Sequence, residues 1–189
     1  PSLMLKAGKD PREVIKQISD IFPFHASVSA EVVGDTVEEM LEMADDYIEL
    51  GPNITIKVPL TPEGLKVCKD LSSDDVAVNV TLCFSTAQAI LAAKAGATYV
   101  SPFVGRVYDQ QFDGIQLIEE ISDVYATHKQ KTQILAASIR DVHQVASCFR
   151  VGADICTIPD KIFSGMYKHI LTDQGLKKFD EDWSKLVGG

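Results

Sequence analysis

The sequence predicts an α/β fold of parallel strands closed into a barrel, and three observations carry that reading. Short β-rich runs alternate with amphipathic helical patterns from end to end of the 189 residues, the arrangement that parallel strand–helix units produce. Within the runs one face is apolar and the other polar. No linker, low-complexity tract or composition break divides the chain, so residues 1–189 are expected to form one domain.

Six strands are predicted, at 27–32, 54–59, 76–81, 98–103, 133–138 and 154–159. The first sets Ser27, Ser29 and Glu31 against Val28, Ala30 and Val32. The second sets Thr55 and Lys57 against Ile54, Ile56 and Val58. The third sets Ala77, Asn79 and Thr81 against Val76, Val78 and Val80. An open doubly wound sheet carries helices on both faces, and its strands are apolar on both. A single apolar face instead suits a (β/α)8 TIM barrel, whose outer face meets the helices. Such a barrel has eight strands; the six seen here are taken as strands 3 to 8, with two more expected upstream of Pro1.

Local signals support the helices between the strands. Asp10-Pro11 and Thr61-Pro62 place a cap followed by a first-turn proline. Gly96 and Gly152 stand where glycines end helices. Residues 175–187 carry Leu176, Phe179, Trp183 and Leu186 at helical spacing. They predict an extra C-terminal helix, at 172–189, that must cover its apolar stripe against its own barrel or a neighbouring subunit.

Composition narrows the function classes. A net charge of −9 with no basic patch argues against nucleic-acid and anionic-membrane partners. No apolar run is long enough to span a bilayer. Cys68, Cys83, Cys148 and Cys156 are scattered, as are His25, His128, His143 and His169. Neither a zinc site nor a disulfide framework is expected, and reduced thiols suit a cytoplasmic protein. Arg12 and Arg150 fall in helical patterns and are assigned to the surface, whereas Arg106 and Arg140 each follow a strand.

By parity Glu31, Lys57, Asn79, Thr81, Ser101, Phe103 and Ser138 face inward near strand C-termini, where barrel enzymes place their reactive groups. Polar groups in a barrel interior need a reason. An enclosed amine is disfavoured as its cation and becomes a nucleophile toward a carbonyl carbon. Spacing leaves two readings of the inward lysine open, a Schiff-base amine and a structural ion pair with Glu31.

Five segments then bear a resemblance. ITIKVPLTPEGL around Lys57, VSAEV around Glu31, VNVTLCFSTAQA around Asn79 and Thr81, YVSPFVGR ending at Arg106 and ILAASIR ending at Arg140 closely resemble the small transaldolases and their fructose-6-phosphate aldolase relatives. The likeness runs in order from PSL at the start to GLKKFDEDW near the end. It implies an imine between Lys57 and a ketose phosphate, fructose 6-phosphate or sedoheptulose 7-phosphate. A dihydroxyacetone unit is then passed to an aldose phosphate, a step of the pentose phosphate pathway, without a metal or organic cofactor. Glu31 would act with a water positioned by Thr81, Asn79 and Ser101 would hydrogen-bond substrate hydroxyls or the intermediate, and Arg106, Ser138 and Arg140 would hold the phosphate. The aldolases typically carry glutamine and tyrosine where this chain has Glu31 and Phe103, so the resemblance favours transfer. A fructose-6-phosphate aldolase and a non-catalytic sugar-phosphate-binding homologue are the alternatives. The small members form homo-oligomeric rings, a pentamer or decamer, in which the C-terminal helix reaches a neighbour. The family also has an aspartate on its first strand and an asparagine in a TNP segment, after which Pro1-Ser2-Leu3 would follow, so the chain as given is expected to lack both.

Overall fold

The computed structural model describes residues 8–22 and 25–188; Pro1-Ser2-Leu3, on which the reading of the chain's start depends, lies outside them. Helix α1 (Pro11–Ile21) leads into β1 (Val28–Glu31), α2 (Val37–Ile48), β2 (Ile54–Pro59), α3 (Pro62–Ser73), β3 (Val78–Cys83), α4 (Thr86–Lys94) and β4 (Tyr99–Pro102). Two helices, α5 (Val104–Asp109) and α6 (Gly114–Thr127), precede β5 (Gln133–Ala136). Then come α7 (Val142–Arg150), β6 (Ile155–Cys156), α8 (Asp160–Gly165) and α9 (Ile170–Val187). The six strands are parallel and lie in chain order. They curl into part of a (β/α)8 barrel.

The alternation in the strands decides which side is which. Ala30, Ile56, Val58, Val78, Val80 and Val100 are completely buried, in one core with Met40, Val67, Ala89, Ile118 and Ile121 of the helices. Fully burying a side chain of this size contributes about 1.5–3 kcal/mol, so a one-residue register slip would expose the whole set. The predicted caps form. Asp10 accepts from the backbone N–H of Arg12 at 2.8 Å, and Thr61 from that of Gly64 at 3.0 Å. Gly96 and Gly152 take φ values of +90° and +102° directly after α4 and α7, a conformation with little cost for a residue lacking Cβ.

Strand edges differ from the sequence reading where a residue has another task. Val76 donates back to Leu71 at 3.0 Å and closes α3, so the third strand starts two residues late and runs on to Cys83. Ser138 turns to φ +60° and leaves β5 early. The Asp154 carboxylate accepts from Ile134 N–H at 2.7 Å, and β6 shrinks to two residues. Helix α9 starts at Ile170, ahead of the predicted 172, because the His169 ring caps the N–H of Leu171. None of its residues is buried, and Phe179 and Trp183 are 70% and 65% exposed. Among the described residues, no helix is long and apolar enough to cross a membrane. Burial pushes the free thiols of Cys68 and Cys83 up to about 12.

Candidate active site

Inside the curl, β1, β2 and β3 bring side chains together that lie far apart in sequence. Glu31 pairs in register with Lys57, and Lys57 with Asn79. Lys57 Nζ is 3.0 Å from Glu31 Oε2, and each side chain is about a quarter exposed, at 24% and 26%. The ion pair read from spacing therefore exists. Its placement is a weak way to stabilise a fold, because taking two charges out of water offsets much of their attraction. A carboxylate in contact with an amine can, however, exchange a proton with it.

Beside this pair runs a neutral network. Ser101 donates to Asn79 Oδ1 at 2.7 Å, and Asn79 Nδ2 donates to Ser29 Oγ at 3.3 Å. Ser27 and Thr55 share a hydrogen bond of 2.6 Å further down the barrel. Asn79 and Ser101 are almost completely buried, at 2% and 1%, so their orientation is fixed. Thr81, 1% exposed, carries the one buried side-chain polar atom among the described residues that makes no hydrogen bond in the protein. An unmade bond of this kind typically costs about 1–3 kcal/mol. The Thr81 hydroxyl is thus a buried group with an unmet hydrogen bond, on the strand next to Lys57.

The ends of β3, β4 and β5 build a second cluster. Phe103 follows β4 and forms an isolated bridge with Ala137. Its ring stands edge-on to Phe84 with centroids 5.6 Å apart, and the Arg106 guanidinium lies 4.8 Å above it. Arg106 sits on α5, whose N-terminal N–H, from Val104, donates to Ala137 O at 3.0 Å. That contact sets the helix against the end of β5, where Ser138 and Arg140 follow. Arg106 and Arg140 line one open pocket of ≈ 560 Å³ with Phe84, Asp109 and Phe112. Arg12 and Arg150 are exposed elsewhere, Arg12 paired with Asp46.

Two backbone positions at this rim are unusual. Leu82 and Ser138 take φ values of +59° and +60°, a region that costs a residue with a side chain about 1–2 kcal/mol. Asp75, Gln111 and Lys129 share the sign but stand directly after helix ends, where it is common. Leu82 lies in the register shift between β3 and β4, just before Phe84. Ser138 lies just before Arg140.

The structure thus brings Glu31 to Lys57, Asn79 to Ser101, and Phe103, Arg106 and Arg140 to one rim. The Lys57 cluster does not line the arginine pocket. Sequence reasoning missed Phe84, Gly105 and Asp109 as parts of the rim. A signal existed for the last two, since both stand in the same short VGRVYD run as Arg106.

A barrel sheet with a lysine–carboxylate pair on its inner face and two arginines lining one pocket beyond its strand ends has the layout of a barrel enzyme. The comparisons with known proteins reach the same class. The family model described as Transaldolase/Fructose-6-phosphate aldolase matches residues 12–189. A "Probable transaldolase" of Paracoccus denitrificans is 52% identical over 185 residues, 98% of this chain and 84% of the relative. Proteins of the same name from Cereibacter sphaeroides and Caulobacter vibrioides are 50% and 46% identical, over 98% and 97% of this chain and 84% of each relative. The chain belongs to the transaldolase/fructose-6-phosphate aldolase family and is an enzyme, a transferase.

The neutral network gives a stability prediction independent of any activity. Replacing Asn79 by Ala leaves Ser101 and Ser29 without their partner. The expected loss is about 1–3 kcal/mol, read as a lower denaturation midpoint with unchanged slope. An unchanged midpoint would show that the network does not support the fold.

Proposed function

We propose that the chain transfers a dihydroxyacetone unit from a ketose phosphate to an aldose phosphate through an imine on Lys57. One observation carries the proposal: the Lys57 amine is held 3.0 Å from the Glu31 carboxylate on the inner face, one strand away from the unpartnered Thr81 hydroxyl. Fructose 6-phosphate and sedoheptulose 7-phosphate are the proposed donors, as in the pentose phosphate pathway.

The chemistry follows from those positions. Neutral Nζ attacks the C2 carbonyl carbon, and the oxygen leaves as water after two proton transfers for which Glu31 is in reach. The resulting iminium draws electrons as a base takes the C4 hydroxyl proton and the C3–C4 bond breaks, and the aldose departs with its new carbonyl. The three-carbon carbanion equivalent remains on Lys57 and adds to the carbonyl of an incoming aldose. Hydrolysis then returns the amine. Asn79 and Ser101 are fixed hydrogen-bonding groups for substrate hydroxyls. Arg106 and Arg140, with Ser138, are suited to the phosphate, since planar guanidinium groups bind such oxyanions in paired contacts.

Phe103 supports transfer over simple cleavage. Its ring, wedged between Phe84 and Arg106, carries no hydroxyl to protonate the carbanion. The exposed stripe of α9 supports a homo-oligomer, because an apolar helix face of this size normally finds a cover. Four free cysteines suit the cytoplasm.

Borohydride added with fructose 6-phosphate should leave a stable adduct on Lys57, located by peptide mass spectrometry. Lys57→Met should abolish turnover and adduct together. Label on a different lysine in an active preparation would overturn the mechanism. Phe103→Tyr should raise release of dihydroxyacetone measured without an acceptor aldehyde. Rapid release by the unaltered enzyme would replace transfer by an aldolase reaction. In light scattering the chain should show a mass several times 20.7 kDa; a monomer would remove the proposed role of α9.

A further inference from the structure

Arg140 is held at three points, and one of the holders is an acid. Its backbone N–H donates to Gln144 Oε1 at 2.9 Å. Its stem lies against Gly105, where a Cβ would come within 2.6 Å of Nε and 2.9 Å of Cγ. Its head donates from Nη2 to Asp109 Oδ2 at 2.8 Å. Gly105 and Asp109 both belong to α5, the six-residue helix that carries Arg106. One short element therefore supplies the first arginine, the floor under the second and the acid that fixes it.

We infer that Asp109 is a positioning residue for phosphate-ester recognition. It holds the Arg140 guanidinium by one edge and presents the remaining donors to a phosphate monoester in the shared pocket. The inference rests on the proposed sugar-phosphate reading of that pocket. Asp109 and Arg140 are both 53% exposed, so the pair is screened and contributes little to folding. What it supplies is a link across 31 residues that restricts a long side chain. A guanidinium has five N–H donors, and Asp109 engages only Nη2, so most of the fork is left over. With Arg106 and Arg140 against one carboxylate, the pocket still carries a net positive charge and attracts a dianion.

The opposite role for Asp109 is competition, in which it must leave Arg140 before phosphate can bind. The two roles differ in sign. Positioning predicts weaker phosphate binding when the Asp109 charge is removed, and competition predicts tighter binding.

Titration calorimetry of the full chain with inorganic phosphate, at constant ionic strength, decides between them. Asp109→Asn should weaken binding about two- to tenfold, the cost of ordering one long side chain. Asp109→Glu, which keeps the charge, should bind more tightly than Asp109→Asn. The KM for fructose 6-phosphate should rise in Asp109→Asn by a larger factor than kcat falls. Equal or tighter phosphate binding by Asp109→Asn would overturn the inference. So would an Asp109→Glu variant no better than Asp109→Asn, or an unaltered enzyme that does not bind phosphate. Phosphate binding needs no imine, so a failure of borohydride to label Lys57 would sink the Schiff-base reading alone. An unchanged phosphate affinity would sink this one alone.

Discussion

A polar side chain on the inner face of a barrel sheet cannot reach bulk water freely, and helices close the outer face, so its partners must come from neighbouring strands. The architecture of this protein depends on that constraint being met. Val78 and Val80 go outward into the apolar core, which forces Asn79 inward between them. There it joins Ser29 of β1 and Ser101 of β4. The same parity sends Lys57 toward Glu31. A lining of branched apolar side chains would close the barrel without such pairing. Thr81, the residue whose hydroxyl goes unmatched, stands next to the chemistry proposed for Lys57.

The rim above this interior is organised by backbone as much as by side chains. Leu82 and Ser138 flank β4 in chain order of the strands, and each adopts a left-handed conformation outside any helix end. Each is followed two residues later by a side chain of the arginine pocket, Phe84 and Arg140. Strain at functional rims persists when surrounding contacts over-determine it. The Phe84–Phe103 contact and the Asp109–Arg140 pair lie at the same rim.

Much of this was legible in the chain. Period-two alternation gave Glu31, Lys57, Asn79 and Ser101 their common face, and Asp10, Thr61, Gly96 and Gly152 marked helix ends that the structure has. Strand boundaries were less legible, because Val76 and Asp154 satisfy backbone groups of other segments. The six-residue α5 escaped notice, since a helix of fewer than two turns has no apolar period to read. Its Asp109 and Gly105 were missed with it.

By itself the sequence determined which residues face in and which face out. That information is carried between adjacent residues, through the fixed rise and alternation of a strand. Its five motifs likewise determined the family. Only the tertiary structure decided which inward groups pair: Asn79 with a serine 50 residues away and another 22 away, and Arg140 with an acid 31 residues away. Only it showed that no residue of α9 is buried. Such pairings depend on strand register and on how helices seat against the sheet, which are properties of contacts between segments, and no local pattern contains them.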